Sequence, residues 1–264
     1  MKKIVLILAI ALIAIILGGN WLLQNKGETS EEKKKLPVVA SFYPLAFFGA
    51  EIGGYKATVT NLTPAGTEPH DYEPSARDLA NAENSRLIII NGGIENWGDK
   101  VKEDAANRDT IVVTAAEGLM NREVVEKEEE GKTIRDPHVW LDPVLAKEEI
   151  KKITDGYIQA DPQNQGYYEN SESILNEKLD QLHRKYQIGL QNCQTKDFVT
   201  AHAAFGYLAS RYELNQISIS GLSPEVEPSL QQIADITDFT RENDVQYIFF
   251  ETLVNPKLAE TLAN

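Results

Sequence analysis

The chain has 264 residues, and its 26 basic and 40 acidic side chains give a formal net charge of −14. Because phosphate backbones attract basic surfaces, this charge argues against a nucleic-acid partner. The single cysteine, Cys193, excludes both an intramolecular disulfide and a thiolate metal cluster. The hydrophobic fraction of 42% and the charged fraction of 25% are typical of a globular protein.

The N-terminal segment has the pattern of an export signal. Lys2 and Lys3 precede an uninterrupted apolar run from Ile4 to Leu17, and residues 21–23 extend it. This length suits either a secretory signal or a membrane-spanning helix. We therefore expect residues 1–23 to be a signal peptide or an N-terminal membrane anchor, with the anchor favoured. Either would export the body to the outer face of the cytoplasmic membrane or to the periplasm.

Two further features surround this segment. The sequence LGGN at 17–20 resembles a bacterial lipoprotein processing site in which Asn20 replaces the cysteine that would carry the lipid. Residues 24–36 are polar and mixed in charge, which predicts a flexible spacer. Six lysines and three glutamates lie in residues 1–35, so the rest of the chain carries a net charge of −17.

The first half of the body alternates short apolar runs with helical patterns. Strands are predicted at 37–42, 57–62, 86–91 and 110–114, with helical patterns at 75–83 and 96–106. Continuous apolar strands interleaved with helices predict a parallel sheet that is covered on both faces. We expect an N-terminal α/β lobe over residues 37–160. The acidic segment 122–135 is predicted to be an exposed loop.

A long helix is predicted next, over residues 161–191. Asp161 and Pro162 suit a helix start, with the aspartate as the cap. One helical face carries the apolar residues Tyr168, Leu175, Leu179, Leu182, Tyr186 and Leu190. A helix of this length between two α/β halves would join them rigidly.

The remaining residues, 192–264, predict a second α/β lobe. Strands are expected at 196–201, 216–220 and 245–250, and helices at 203–212 and 229–243. The predicted fold is therefore α/β, with two lobes built on parallel sheets and joined by one long rigid helix. The chain stops at Asn264 inside a helical pattern, so we expect this second lobe to be incomplete.

Three of the four histidines occupy equivalent positions. His70 lies on a proline-rich loop after a predicted strand, His138 lies before a predicted helix capped by Asp142, and His202 lies where a strand meets a helix. Open α/β sheets bind ligands at such strand ends. Neutral imidazoles suit zinc and its neighbours, and three of them leave a fourth position open. His183 lies on the long helix beside two basic residues and is expected to face solvent.

Five motifs in this order resemble the metal-binding solute receptors of ABC transporters for zinc and manganese uptake. They are GTEPHDYEPS, DPHVWLDP, HAAFGY, GLSPEVEPS and FFETLVNPKLAETLA, and the resemblance covers residues 37–264. It implies two lobes joined by one rigid helix, with the metal bound in the cleft by His70, His138 and His202. Because manganese receptors commonly have a glutamate at the third position, His202 favours Zn²⁺ over Mn²⁺.

The resemblance also implies a partner and a fourth ligand. The partner would be a permease in the membrane, and the receptor is expected to be a monomer. Relatives supply a fourth ligand, an aspartate, from residues that would follow Asn264. In this chain water, Glu68 or Glu251 could take that place. Tyr72 and Trp140 are expected to line the cleft, while Asp71 and Asp142 could accept hydrogen bonds from the imidazoles.

Two other functions remain open at this stage. Three histidines and a water also form the ligand set of zinc hydrolases, but the sequence has no HExxH helix to supply a general base. A metal-dependent surface adhesin would share the export signal and would give the histidines no role in transport. The prediction is a receptor that is not an enzyme.

Overall fold

The computed structural model describes residues 34–106, 108–125, 133–224, 228–243, 245 and 247–251. The predicted leader and most of the predicted spacer lie outside these residues, as does the end of the chain after Glu251. The described residues from Leu36 to Glu251 belong to one compact unit. Within the described residues, no helix has both the length and the apolar character needed to cross a bilayer.

The first sheet has four parallel strands in the order β2-β1-β3-β4. They are β1 (Leu36–Ala40), β2 (Ala57–Asn61), β3 (Leu87–Ile90) and β4 (Ile111–Thr114). Each lies inside or within one residue of its predicted run, because an apolar run without alternation is what a strand buried on both faces requires.

Helices cover both faces of this sheet. They are α1 (Tyr43–Gly53), α2 (Ala76–Glu83), α3 (Gly98–Ala106) and α4 (Pro143–Ala160). Successive residues of β3 point to opposite faces: Leu87 and Ile89 pack with α1 and α4, while Ile88 and Ile90 pack with residues of α2 and α3. We call this sheet with its helices the first lobe.

Local sequence signals account for the helix starts. Ser75 and Asp78 form a reciprocal capping box at the start of α2. Asp142 accepts a hydrogen bond from the backbone N–H of Val144 and is followed by Pro143, as predicted for the start of α4.

The predicted loop 122–135 needs a correction. Its two ends form β5 (Glu123–Val125) and β6 (Thr133–Arg135), which pair as an antiparallel ribbon. Each strand has only three residues and carries charge, so neither shows the apolar run that reveals a strand in a sequence.

The long helix α5 spans Gln165–Leu190, 26 residues, which confirms the predicted connection between the two sheets. Its start differs from the prediction. A 3₁₀ turn over Pro162–Asn164 precedes the helix, and the Asp161 side chain makes no capping hydrogen bond to this turn. The Asp161 carboxylate instead accepts a hydrogen bond from the Tyr168 hydroxyl at 2.8 Å.

The two ends of α5 contact different parts of the molecule. Tyr168 and Leu175 are buried in the core of the first lobe. Tyr186 stacks on Tyr212, with ring centroids 5.0 Å apart.

The second sheet has three parallel strands in the order β8-β7-β9. They are β7 (Asp197–Thr200), β8 (Asn215–Ser218) and β9 (Ile248–Phe249), accompanied by α6 (Gly206–Arg211) and α7 (Leu230–Glu242). Val199, Ile219 and Ile236 form its buried core. We call this sheet with α6 and α7 the second lobe. The α/β fold with two parallel sheets and a connecting helix is therefore as predicted, while the residue limits of the lobes at 160 and 192 stay a prediction.

Candidate metal centre

The structure brings together the three histidines that the sequence places 68 and 64 residues apart. His70 lies on the loop after β2, His138 precedes α4, and His202 follows β7. Each can offer one ring nitrogen, and these nitrogens all lie within 4.8 Å of one another. The site therefore takes two histidines from the first lobe and one from the second, and all three lie beyond the carboxyl ends of parallel strands or at a helix start.

The spacing of the first two histidines is that of ligands on a common ion. The Nε2 atoms of His70 and His138 are 3.2 Å apart. Two nitrogens bound to a tetrahedral zinc at about 2.0–2.1 Å lie roughly 3.3 Å from each other. The ring of His202 completes the group, with centroids 5.3 Å from His138 and 6.2 Å from His70.

Asp136 orients the second histidine. One carboxylate oxygen, Oδ1, accepts hydrogen bonds from the backbone N–H of His138 at 3.0 Å and from its Nδ1 at 2.9 Å. This contact places the proton on Nδ1 and leaves the lone pair of Nε2 directed at His70. A carboxylate behind a ligating imidazole fixes its tautomer and raises its basicity.

Glu251 contacts Nδ1 of the third histidine, His202, as Asp136 contacts Nδ1 of His138. Its Oε1 lies 2.8 Å from Nδ1 of His202, and its Oε2 is buried without a hydrogen-bond partner among the described residues. Two of the three imidazoles thus have an acidic residue on Nδ1.

Burial keeps the first two imidazoles neutral. Burial, reinforced by the neighbouring rings of His138 and His202, lowers the pKa of His70 to about 3. Burial also lowers the pKa of His138, although the Asp136 carboxylate acts in the opposite direction. Both rings therefore present unprotonated nitrogens at neutral pH, which is the state that a metal ion requires.

Other predicted residues surround this centre in different ways. The ring of Trp140 lies 5.2 Å from that of His138, so it borders the site as expected. Tyr72 instead packs against the core next to α2, and its hydroxyl donates to Asp78. Burial raises the pKa of Glu68, whose carboxylate lies near His202.

The predicted acceptors for the imidazoles were wrong. Among the described residues, neither Asp71 nor Asp142 hydrogen-bonds to a histidine; Asp142 caps α4 and pairs with Arg211. The role of Asp136 was not predicted from the sequence. Its position two residues before His138, where a short side chain can bond the backbone two residues on, was the available signal.

His183 lies apart from the group, as predicted, but it is not fully exposed. Its Nδ1 lies 3.0 Å from the Tyr212 hydroxyl, and the two rings are in contact. His183 therefore packs against the second lobe and is not part of the group formed by the other three histidines.

Comparisons with known proteins identify the family of this chain. Residues 38–264 match the model of the family described as zinc-uptake complex component A, periplasmic. The high-affinity zinc uptake system protein ZnuA of Bacillus subtilis is 36% identical over 249 residues, which cover 91% of this chain and 78% of ZnuA. The zinc-binding lipoprotein AdcA of Streptococcus pneumoniae is 36% identical over 273 residues, which cover 100% of this chain and 53% of AdcA. The chain thus spans about half the length of that relative.

A solved structure shows the same architecture. The laminin-binding protein Lmb of Streptococcus agalactiae, described as bifunctional with adhesin and metal transporting activity, superimposes with a TM-score of 0.79 at 34% identity. The match covers 87% of this chain and 85% of Lmb. With a family model that matches nearly all of the body, this chain belongs to the ZnuA family of periplasmic zinc-uptake components.

Proposed function

We propose that this chain is the extracytoplasmic receptor of a zinc-uptake ABC transporter and that His70, His138 and His202 bind the transported Zn²⁺. The observation that carries the proposal is the convergence of three buried or half-buried imidazoles, with two ligand nitrogens 3.2 Å apart. Neutral imidazoles add no net charge to the site, and Zn²⁺ has no redox chemistry, so the ion can leave again unchanged.

Zinc is favoured over manganese by the chemistry of the ligands. Imidazole nitrogen suits Zn²⁺, whereas Mn²⁺ prefers carboxylate, carbonyl and water oxygens. In the family resemblance the position of His202 is also the one that distinguishes the two metals. Because Oε1 of Glu251 is engaged by His202, we propose that Glu251 holds that ring and that water or Glu68 takes the fourth position.

A receptor explains the site better than a hydrolase does. A hydrolytic centre needs a free general base beside the metal-bound water. Of the carboxylates around this site, Asp136 and Glu251 hydrogen-bond the imidazoles, and Glu68 accepts from the backbone N–H of His70. We therefore expect no metal-dependent hydrolysis of esters or peptides, and we propose that the chain is not an enzyme.

Delivery of the ion follows from the family's role in uptake. We propose that a membrane permease receives the zinc from a monomeric receptor that is exported and tethered by residues 1–23. The net charge of −17 on the body would raise the local concentration of cations at low ionic strength.

A second candidate function is adhesion, which is favoured by the similarity to Lmb. Binding of the zinc-loaded and zinc-free chain to immobilised laminin would test it. Saturable binding by both forms would support an adhesive surface that is separate from the metal centre, and no binding by either form would exclude it.

Zinc titration of the purified full-length chain tests the main proposal. The dissociation constant is measured by competition with a chromophoric chelator for the wild type and for His70→Ala, His138→Ala and His202→Ala. Each of these changes should weaken binding by more than about 100-fold, since it removes a ligand. His183→Ala is the matched control and should leave the dissociation constant unchanged. Tight binding that survives His70→Ala but is lost in His183→Ala would overturn the assignment.

A further inference from the structure

Helix α6 lies between the third histidine and the segment that carries the second. It begins four residues after His202, and its side chains contact residues 136–142, which include His138. Just beyond its end, Tyr212 stacks on Tyr186 of the linking helix α5. The helix that follows His202 therefore also contacts the first lobe.

Two polar contacts connect α6 to that segment. The Nε atom of Arg211 lies 2.7 Å from Oδ1 and 2.6 Å from Oδ2 of Asp142, whose side chain is only 2% exposed. The hydroxyl of Tyr207 donates to the backbone carbonyl of Asp136 at 2.9 Å. Tyr207 and Arg211 are four residues apart, so both project from the same face of the helix.

The contact is also closely packed. Tyr207 is buried against Ala116 and Val139 of the first lobe. The backbone N–H of Arg122 donates to the Tyr207 hydroxyl at 3.3 Å. A Cβ atom on Gly206 would come within 3 Å of the Arg122 side chain, which would have to move to admit it.

We infer that Tyr207 and Arg211 are positioning residues for metal binding, because they fasten α6 to residues 136–142 and so set the separation between His138 and His202. The inference rests on the proposed function, since it requires both histidines to be ligands. The two residues act through the backbone of the segment and through helix α4, which Asp142 caps.

The physical reason lies in the division of the ligands between the lobes. Zinc sites tolerate only about 0.2 Å of variation in ligand distances, so the second lobe must be held in register with the first. An exposed ion pair would do little towards this, because water screens it. The Asp142 carboxylate is buried, and both of its oxygens lie within 2.7 Å of Nε of Arg211, so separating the pair would leave a buried carboxylate without its cation.

The test measures zinc affinity for Tyr207→Phe and Arg211→Met, each in the wild-type chain and in a His202→Ala background. Arg241→Met, at an exposed position on α7 in the same lobe, is the matched control. Affinities come from chelator competition on the full-length chain. The visible spectrum of the Co²⁺-loaded chain reports coordination geometry, because four-coordinate Co²⁺ absorbs more strongly than six-coordinate Co²⁺.

We expect each change to weaken zinc binding by about 10–100-fold, the range found for residues that orient ligands. The Co²⁺ absorption should weaken at the same time, as His202 moves away from the ion. In the His202→Ala background the same changes should alter affinity by less than about twofold, since the ligand on which they act is gone. Arg241→Met should match the wild type throughout.

An equal loss of affinity in both backgrounds would overturn the inference, because it would indicate general destabilisation. An unchanged dissociation constant and an unchanged Co²⁺ spectrum in Tyr207→Phe would also overturn it. Because Tyr207→Phe removes only one oxygen atom, this variant keeps the test valid if Arg211→Met does not fold. Failure of the proposed function would look different, because the wild-type chain itself would then not bind zinc tightly.

Discussion

Nδ1 of His202 lies 2.8 Å from Oε1 of Glu251, and this contact joins the residues that follow two neighbouring strands, β7 and β9. The acceptor that orients the third imidazole is therefore supplied by the adjacent strand of the same sheet. His138 receives the equivalent contact from Asp136, two residues away in its own loop. The two lobes orient their histidines by different structural means.

We predict that Glu251→Ala weakens zinc binding by about 10–100-fold, because His202 loses the acceptor that fixes its ring. Glu251→Gln should retain most of the affinity, since an amide oxygen can still accept the Nδ1 hydrogen. Chelator competition measures both, with Glu242→Ala, an exposed acidic residue on α7, as the control. A Gln variant as weak as the Ala variant would contradict this and would indicate that the charge of Glu251 acts on the metal directly.

We predict that zinc affinity falls less steeply with decreasing pH than it would at a site built from three histidines of ordinary pKa. Three imidazoles with pKa values near 6.5 would weaken binding by up to about 1000-fold per pH unit in acid, because each must lose a proton. Burial lowers the pKa of His70 to about 3, so this ring carries no proton to release, and burial also lowers the pKa of His138. Between pH 6 and 5 we therefore expect a loss of less than about 100-fold per unit.

Isothermal titration calorimetry measures this directly. Zinc binding at pH 5.5 in two buffers of different protonation enthalpy gives the number of protons released. Release of no more than about two protons agrees with the lowered pKa of His70, and a release near three protons would rule it out.

Glu149, on α4, is predicted to destabilise the protein at alkaline pH. Both of its carboxylate oxygens are buried without a hydrogen-bond partner among the described residues. Burial raises its pKa to about 8, against the opposing effect of Lys152. The folded chain therefore holds a proton that the unfolded chain releases near pH 4.5, so the free energy of unfolding falls as pH rises from about 4.5 to 8.

The substitution Glu149→Gln should remove this dependence and raise the free energy of unfolding at pH 8 by on the order of 1–3 kcal/mol. Urea unfolding at pH 5 and pH 8 measures the effect. Glu148→Gln, the exposed neighbour, should change stability by less than about 0.5 kcal/mol at either pH. A Gln variant that loses stability equally at both values would show that Glu149 is not protonated in the folded chain.

Two glycine-to-alanine changes should have opposite effects. A Cβ atom on Gly53 would lie 2.5 Å from the Tyr157 hydroxyl and 2.7 Å from Cβ of Ala57, so Gly53→Ala should cost about 1–3 kcal/mol of stability. Gly189 lies in α5 with nothing near such an atom, so Gly189→Ala should stabilise by about 0.5–1 kcal/mol. Thermal unfolding of both variants measures the difference. Equal effects would mean that the packing around Tyr157 is looser than described.

The sequence predicts most of the fold because its strands are buried on both faces. Runs such as Leu87–Ile90 have no competing interpretation once their length and flanking residues are considered. Helix α1 was not predicted, since the segment from Tyr43 to Gly53 is almost entirely apolar and shows no polar face to define a helical period. Strands β5 and β6 were not predicted for the opposite reason, because they are short and carry charged residues.

The histidine positions were predictable, whereas the contacts around them were not. Each histidine stands at a strand end or a helix start, which topology alone brings together. The choice of Asp136 over Asp142 depends on the direction of each side chain in space, which residue spacing does not contain. The pair of Arg211 and Asp142 joins residues 69 apart in the chain, and no local pattern indicates it.

The wide separation of the three histidines has a consequence for the order of events during synthesis. A chain that has not yet emerged beyond residue 202 holds at most two of the three side chains, and an unfolded chain holds none of them near another. Under the proposed function, zinc held by all three histidines therefore requires that the two lobes have folded and come together. Where free zinc exceeds the dissociation constant, the ion would selectively stabilise folded molecules, because binding only the folded state raises its stability by mass action.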